Sequence, residues 1–90
     1  MSSQNLLVKQ LERRLAPWSA LGRIPPKGGW LRTIRQALGM TAPQLGARIG
    51  MTRQGVGDLE EREREGTVTL AALRQAAEAM SCDLVYAIVP

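Results

Sequence analysis

The sequence predicts a mainly α fold, five short helices and then one C-terminal β-strand that pairs with its own copy in a homodimer. Three observations carry this. Apolar residues recur at helical spacing in five stretches punctuated by Gly, Pro and Thr. Aromatic residues are scarce, with Trp18, Trp30, Tyr86 and no Phe, so the core must come from Leu, Ile, Val, Ala and Met, which suits packed helices. The last nine residues change to a β-branched, apolar character. Ninety residues support one domain with little spare stability. The expected organisation is an N-terminal helix and connector over 1–28, a helical domain over 29–81 and a dimerisation strand over 82–90.

Residues 4–15 carry Leu7, Leu11 and Leu15 on one stripe, with Leu6 and Val8 beside it, and Lys9, Glu12, Arg13 and Arg14 mostly elsewhere. This predicts an amphipathic helix, with Pro17 marking its end. Ala20 to Gly29 holds Gly22, Pro25, Pro26, Gly28 and Gly29 and reads as a connector. The second helix starts near Trp30, with Leu31, Ile34 and Leu38 as its stripe and Gly39 as its C-terminal cap. Thr41 and Gln44 have the spacing of a capping box at the start of a third helix, where Pro43 is tolerated and Leu45 and Ile49 face inward. Gly50 ends that helix, Met51 plugs the turn, and Thr52 caps a fourth helix with Val56 and Leu59 inside. The run Glu60 to Glu65 extends this helix or forms a solvated loop, and Gly66 stops it. Thr69 caps a fifth helix with Leu70, Leu73, Ala77 and Met80 in its stripe.

In the tail both alternating faces, Leu84, Tyr86, Ile88 and Val85, Ala87, Val89, are apolar. A lone strand cannot satisfy its edges or hide both faces. Pairing with a second copy across a two-fold axis is therefore expected; the alternative is a tail folded over the chain's own helices.

Net charge is +4 but uneven: residues 1–35 hold seven Lys or Arg against Glu12, a net of +6, and residues 36–90 a net of −2. A basic N-terminal half suits an approach to phosphates, and its bland alternative is a solvated helix face. There is no His and a single Cys. An intrachain disulfide is excluded, a Cys/His metal site is not expected, and Cys82 in its apolar run reads as a small packed hydrophobe. No acid–base constellation can be assembled, so neither an enzyme nor a cofactor is expected. Without a membrane-length apolar run or a signal peptide, the expected location is the cytoplasm.

Thr41 to Leu59 carries the chemistry. Two short helices, a tight turn at Gly50-Met51, small Gly46 where the helices approach, and Leu45, Ile49, Val56 and Leu59 setting their angle make a helix-turn-helix. Such a unit lays its second helix in a DNA major groove. Arg53 and Gln54 project from the first turn of that helix. Arg can grip guanine O6 and N7, and Gln adenine N6 and N7. Asp58 could accept from cytosine N4, although a structural role with Arg62 as its i+4 partner is preferred. Thr41, Gln44, Thr52, Arg32, Arg35 and Arg48 are candidates for phosphate contact, each Arg with a plain surface charge as its alternative. Arg23 and Lys27 in the connector are weaker candidates. Gly55 and Gly57 each cost up to about 1 kcal/mol in a helix relative to Ala, and close backbone approach to a neighbour or to DNA would offset that.

Leu38-Gly-Met-Thr41 through Leu59-Glu60, and Thr69-Leu70 through Ala79, resemble the Cro/C1-type (XRE) repressor domain. Gly50-Met-Thr-Arg-Gln-Gly-Val-Gly57 is similar to its recognition region. The resemblance implies a five-helix DNA-binding domain. Ala42 stands where that family usually has a phosphate-contacting Gln, and the segment after Glu60 is longer and more acidic than usual. A narrower resemblance covers about residues 25–90. Gly29-Trp30, Ile34-Arg35, Leu38-Gly-Met40, Gln44-Leu45, Leu59-Glu60, Gly66, Thr69-Leu70, Leu73-Arg74, Ala76-Ala77 and Leu84 to Pro90 look like the mobile mystery protein A family. That resemblance implies an antitoxin-like DNA-binding partner of a Fic-domain protein, repressing its own operon. The Ser/Thr-x3-Glu-Gly/Asn pattern of directly inhibiting Fic antitoxins does not carry over, since Glu61 stands four residues before Glu65-Gly66.

Two functions are therefore expected. The first is a homodimeric repressor reading a palindromic double-stranded operator, with half-site centres about 10–10.5 base pairs apart. The second is an interaction protein that neutralises a Fic-domain toxin through the acidic run and the N-terminal helix, with DNA binding secondary.

Overall fold

The computed structural model describes residues 3–22 and 24–89. It holds five helices among them: α1 Ser3–Ser19, α2 Trp30–Ala37, α3 Ala42–Ile49, α4 Arg53–Glu65 and α5 Leu70–Ala79. Pro25–Leu84 forms one compact unit, and Met1–Ile24 with Val85–Pro90 is grouped as a second.

In the larger unit, α3 packs against α4 and α5, and α2 against the same two helices. Leu31, Leu45, Val56, Leu59, Ala76 and Met80 are buried together, with Ile34, Ile49, Met51, Leu73 and Cys82 packed around them. Leu45 and Val56 are wholly out of solvent. Two members of the expected stripes fall outside this core. Leu38 is 54% exposed because it is the C-cap of α2, where the chain already leaves the helical course. Leu70, 44% exposed, is the first residue of α5, and Ala76 takes the buried place instead.

The helix ends follow local chemistry. The Thr41 hydroxyl accepts from the Gln44 amide while Gln44 Oε1 accepts from the Thr41 amide, a reciprocal capping box. Thr52 and Thr69 cap α4 and α5 through their hydroxyls. Gly39, with φ of 68°, closes α2: its amide donates to Gln36 and that of Met40 to Arg35. The same geometry ends α5, where Ser81 and Cys82 donate to Glu78 and Ala77, but Ser81 stands at the left-handed position with φ of 58°.

The run after Leu59 is helix and not loop. α4 continues to Glu65 because Glu60 and Glu63 lie on its inward face and both find partners on α2.

In the second unit, α1 runs through Pro17 to Ser19, so the expected stop at Pro17 is not observed. One proline near a helix end removes only one backbone hydrogen bond, and the chain turns afterwards, with Leu21 donating to Trp18. None of the described residues of α1 is buried, and Leu6, Leu7, Val8 and Leu11 are each more than half exposed. Residues 82–89 form no strand, and the described residues contain no sheet. Val85, Tyr86 and Ile88 are exposed, while Leu84, Ala87 and Val89 are half-buried. The expected strand is thus not formed within a single chain.

Candidate nucleic-acid interface

The joint between α3 and α4 sets the geometry of the site. Gly50 takes the left-handed conformation, φ of 72°, that lets the chain reverse in two residues, and the Met51 amide donates back to the Gly46 carbonyl at 2.8 Å. A Cβ on Gly46 would overlap the Met51 carbonyl oxygen, so this position admits only glycine without a backbone shift. Met51 is half-buried against the core, and α4 then begins from the Thr52 cap.

Beyond that cap α4 is amphipathic in an unusual way. Val56, Leu59 and Glu60 are buried and Glu63 is half-buried on one face, while Arg53, Gln54, Gly57, Asp58 and Glu61 are exposed on the other. The residues expected to read base edges therefore share an open face. Arg53 also lines an open groove of about 620 Å³ with Arg35, Gly39, Met40, Thr41, Ala42 and Pro43. The start of α3 and the start of α4 thus border one surface. A second hollow of about 370 Å³ holds Gln44 and Arg48 beside Leu38 and Ala47. Arg32 is exposed on α2 and lines neither hollow.

Several expected phosphate ligands already have partners. The Thr41 hydroxyl and Gln44 Oε1 hold the capping box, and Pro43 has no amide hydrogen, which leaves the Ala42 amide open at the first turn of α3. Ala42 itself is half-buried against the core. Arg48 donates through Nη1 to the Ala79 carbonyl at 2.9 Å, tying α3 to the end of α5.

Arg35 is the most altered of these residues. Its Nε and Nη2 donate to the two oxygens of Glu60 at 2.7 and 3.2 Å, and its Nη1 donates to the Met40 carbonyl at 3.0 Å. The side chains of this pair are only 11% and 6% exposed. The bidentate bond to Glu60 raises the guanidinium pKa, burial opposes it, and the carboxylate charge raises it further. A raised guanidinium pKa means that this contribution is lost as the pH climbs into strong alkali, where Arg35 would give up its charge. The pair joins α2 to α4, so Arg35 holds the reading helix in place.

Glu63, which the apolar stripes place only in a charged run, is part of the scaffold. Its two oxygens accept from the Trp30 and Leu31 amides at 2.7 and 2.8 Å, capping α2 from another helix. α2 needs this because its own N-cap, Gly29, has no side chain to offer. Gly29 also leaves room for the carboxylate, since a Cβ there would stand about 3.0 Å from Glu63 Oε2. The signal was present in the sequence: Glu60 and Glu63 follow Val56 at i+4 and i+7, on the stripe that faces inward. Buried carboxylates at such positions require partners. Among the described residues the ion pair formed is that of Arg35 with Glu60, and none links Asp58 to Arg62. The side chain of Arg23 lies outside the described residues; Lys27 is exposed.

No helix among the described residues is long and apolar enough to cross a membrane. No curated protein and no solved structure matches the chain at a significant level. A family model described as helix-turn-helix, HTH_3, matches residues 31–86, from the first turn of α2 into the tail. With a close-packed α3–α4 joint, a capped second helix and an exposed polar face on it, the chain belongs to the HTH_3 family, the XRE/Cro-C1 type of DNA-binding transcription regulators.

Proposed function

We propose that this protein is a sequence-specific repressor that binds a palindromic operator as a homodimer and controls its own operon. The observation that carries this reading is the exposed face of α4, where Arg53 and Gln54 stand free at the first turn beside the groove bordered by α3. Arg53 and Gln54 read base edges, and Asp58, one turn on, adjoins them. Thr41, Gln44, Thr52, Arg32 and Arg48 lie close to phosphates. Of these, Arg32 is the plainest positioning contact, because its side chain is exposed and forms no ion pair among the described residues. Arg35 acts through the position of α4.

Two copies are proposed to join through Leu84 to Val89, forming between chains the strand that one chain lacks. The support is apolar character on both faces of the segment and the exposure of Val85, Tyr86 and Ile88. Selection of duplexes from a randomised pool by the purified chain tests the reading. A two-fold symmetric consensus is expected, and a consensus with no symmetry would count against the dimer.

A second reading is favoured by α1. A 17-residue helix with four large apolar side chains exposed and none buried is marginal alone and gains stability by docking. The resemblance to mobile mystery protein A makes a Fic-domain toxin the proposed partner. α1 is the proposed docking element. The acidic run contributes less than its length suggests, because Glu60 and Glu63 are committed to α2. Co-purification with the Fic-domain protein, lost on deleting residues 1–20, is the expected result.

A further inference from the structure

Glycine in the exposed middle of a helix is disfavoured against alanine, so it needs a steric reason. For one glycine of the helix-turn-helix that reason is internal: Gly46 makes room for the Met51 carbonyl. A Cβ on Gly55 would make ordinary contact with Met51 and Thr52, at 3.4 Å, and so would pack against its own turn. Gly57 differs from both. A Cβ built there meets nothing within 4 Å, and its φ is not left-handed. Nothing inside the described chain calls for a missing side chain at this position.

Gly57 follows Arg53 by four residues and Gln54 by three, so it shares their face one turn further along. It is exposed, with exposed Asp58 beside it. The result is a patch of bare main chain on a surface otherwise made of polar side chains. Its own amide and carbonyl belong to the helix and cannot serve a base-edge donor or acceptor. Among major-groove groups, the one that asks only for space and apolar contact is the C5-methyl of thymine.

We infer that Gly57 is a specificity-determining notch that receives a thymine methyl and lets α4 sit close against the base-pair edges. This rests on the proposed reading of DNA by the Arg53 face.

The test uses the full chain and a duplex that the wild-type protein selects from a randomised pool, with a scrambled duplex as reference. Gly57→Ala is expected to raise Tm by about 4–8 °C and to weaken binding to the selected duplex about tenfold, leaving the scrambled duplex unaffected. Replacing half-site thymines singly by uracil removes one methyl at a time. At one position this weakens the wild type and strengthens Gly57→Ala relative to its binding of the thymine duplex, since the Cβ then fills the methyl's place. Gly55→Ala leaves both affinities unchanged. Gly57→Ala binding as tightly as wild type overturns the inference, as does equal weakness on thymine and uracil duplexes, or a lowered Tm. If the wild type selects no duplex at all, the DNA reading fails first and this inference fails with it.

Discussion

Arg53 and Arg32 are both exposed cations on the larger unit, yet different consequences are expected from losing them. Arg53 stands at the first turn of the reading helix, where a bidentate grip on guanine is worth about 1–3 kcal/mol of discrimination. Arg53→Ala should therefore relax preference at one base pair per half-site. Arg32 lies on α2, and a phosphate contact there carries no sequence information. Arg32→Ala should weaken all duplexes alike and reduce the salt dependence of binding by about one unit of slope in a titration against salt concentration. Gly46 answers to sterics alone. Gly46→Ala forces a Cβ against the Met51 carbonyl and should cost about 3 kcal/mol in a urea melt, at the upper end for overpacking. The capping threonines, the glycine turns and the inward Leu45, Ile49, Val56 and Leu59 could be read from the sequence, because each is fixed by neighbours within four residues. The partners of Arg35 could not, since Glu60 lies 25 residues away and a lone arginine looks the same whether it meets a phosphate or a carboxylate.

At the scale of elements, two carboxylates of α4 hold α2. Removing Glu63 leaves the Trp30 and Leu31 amides without their cap, so Glu63→Ala should destabilise the domain by about 1–2 kcal/mol. Breaking the Arg35–Glu60 pair is more severe, because one charge stays behind in a largely buried place. Arg35→Ala should cost about 3 kcal/mol, near the low end for a broken buried pair, and its loss of DNA affinity should track its loss of fold. At the end of α5 the expectation has the opposite sign. Ser81→Gly relieves a left-handed serine and should stabilise by about 0.5–1 kcal/mol, seen as a higher urea midpoint. The helix count and the two-helix reading unit were legible because stripe and stop signals agreed. The extension of α1 through Pro17 and the exposure of Leu38 and Leu70 were not, because position within a helix end, and not residue type, decided them.

For the whole molecule, α1 and the tail carry exposed apolar side chains, and in the proposed homodimer the exposed face of α4 would be one half of a two-fold recognition surface. Deleting residues 83–90 should yield monomers in sedimentation velocity and a large loss of operator affinity with helix content retained. An unchanged dimer would move the interface elsewhere. The central claim is that the Arg53–Gln54 face of α4 reads base pairs. Its most direct measurement is a titration of wild type and Arg53→Ala, at one fixed salt concentration, against the selected duplex, its single-base variants and a scrambled duplex. The account predicts that Arg53→Ala loses discrimination at one base pair per half-site and keeps its affinity for the scrambled duplex. An equal loss on every duplex, with preference for the selected sequence intact, would contradict it.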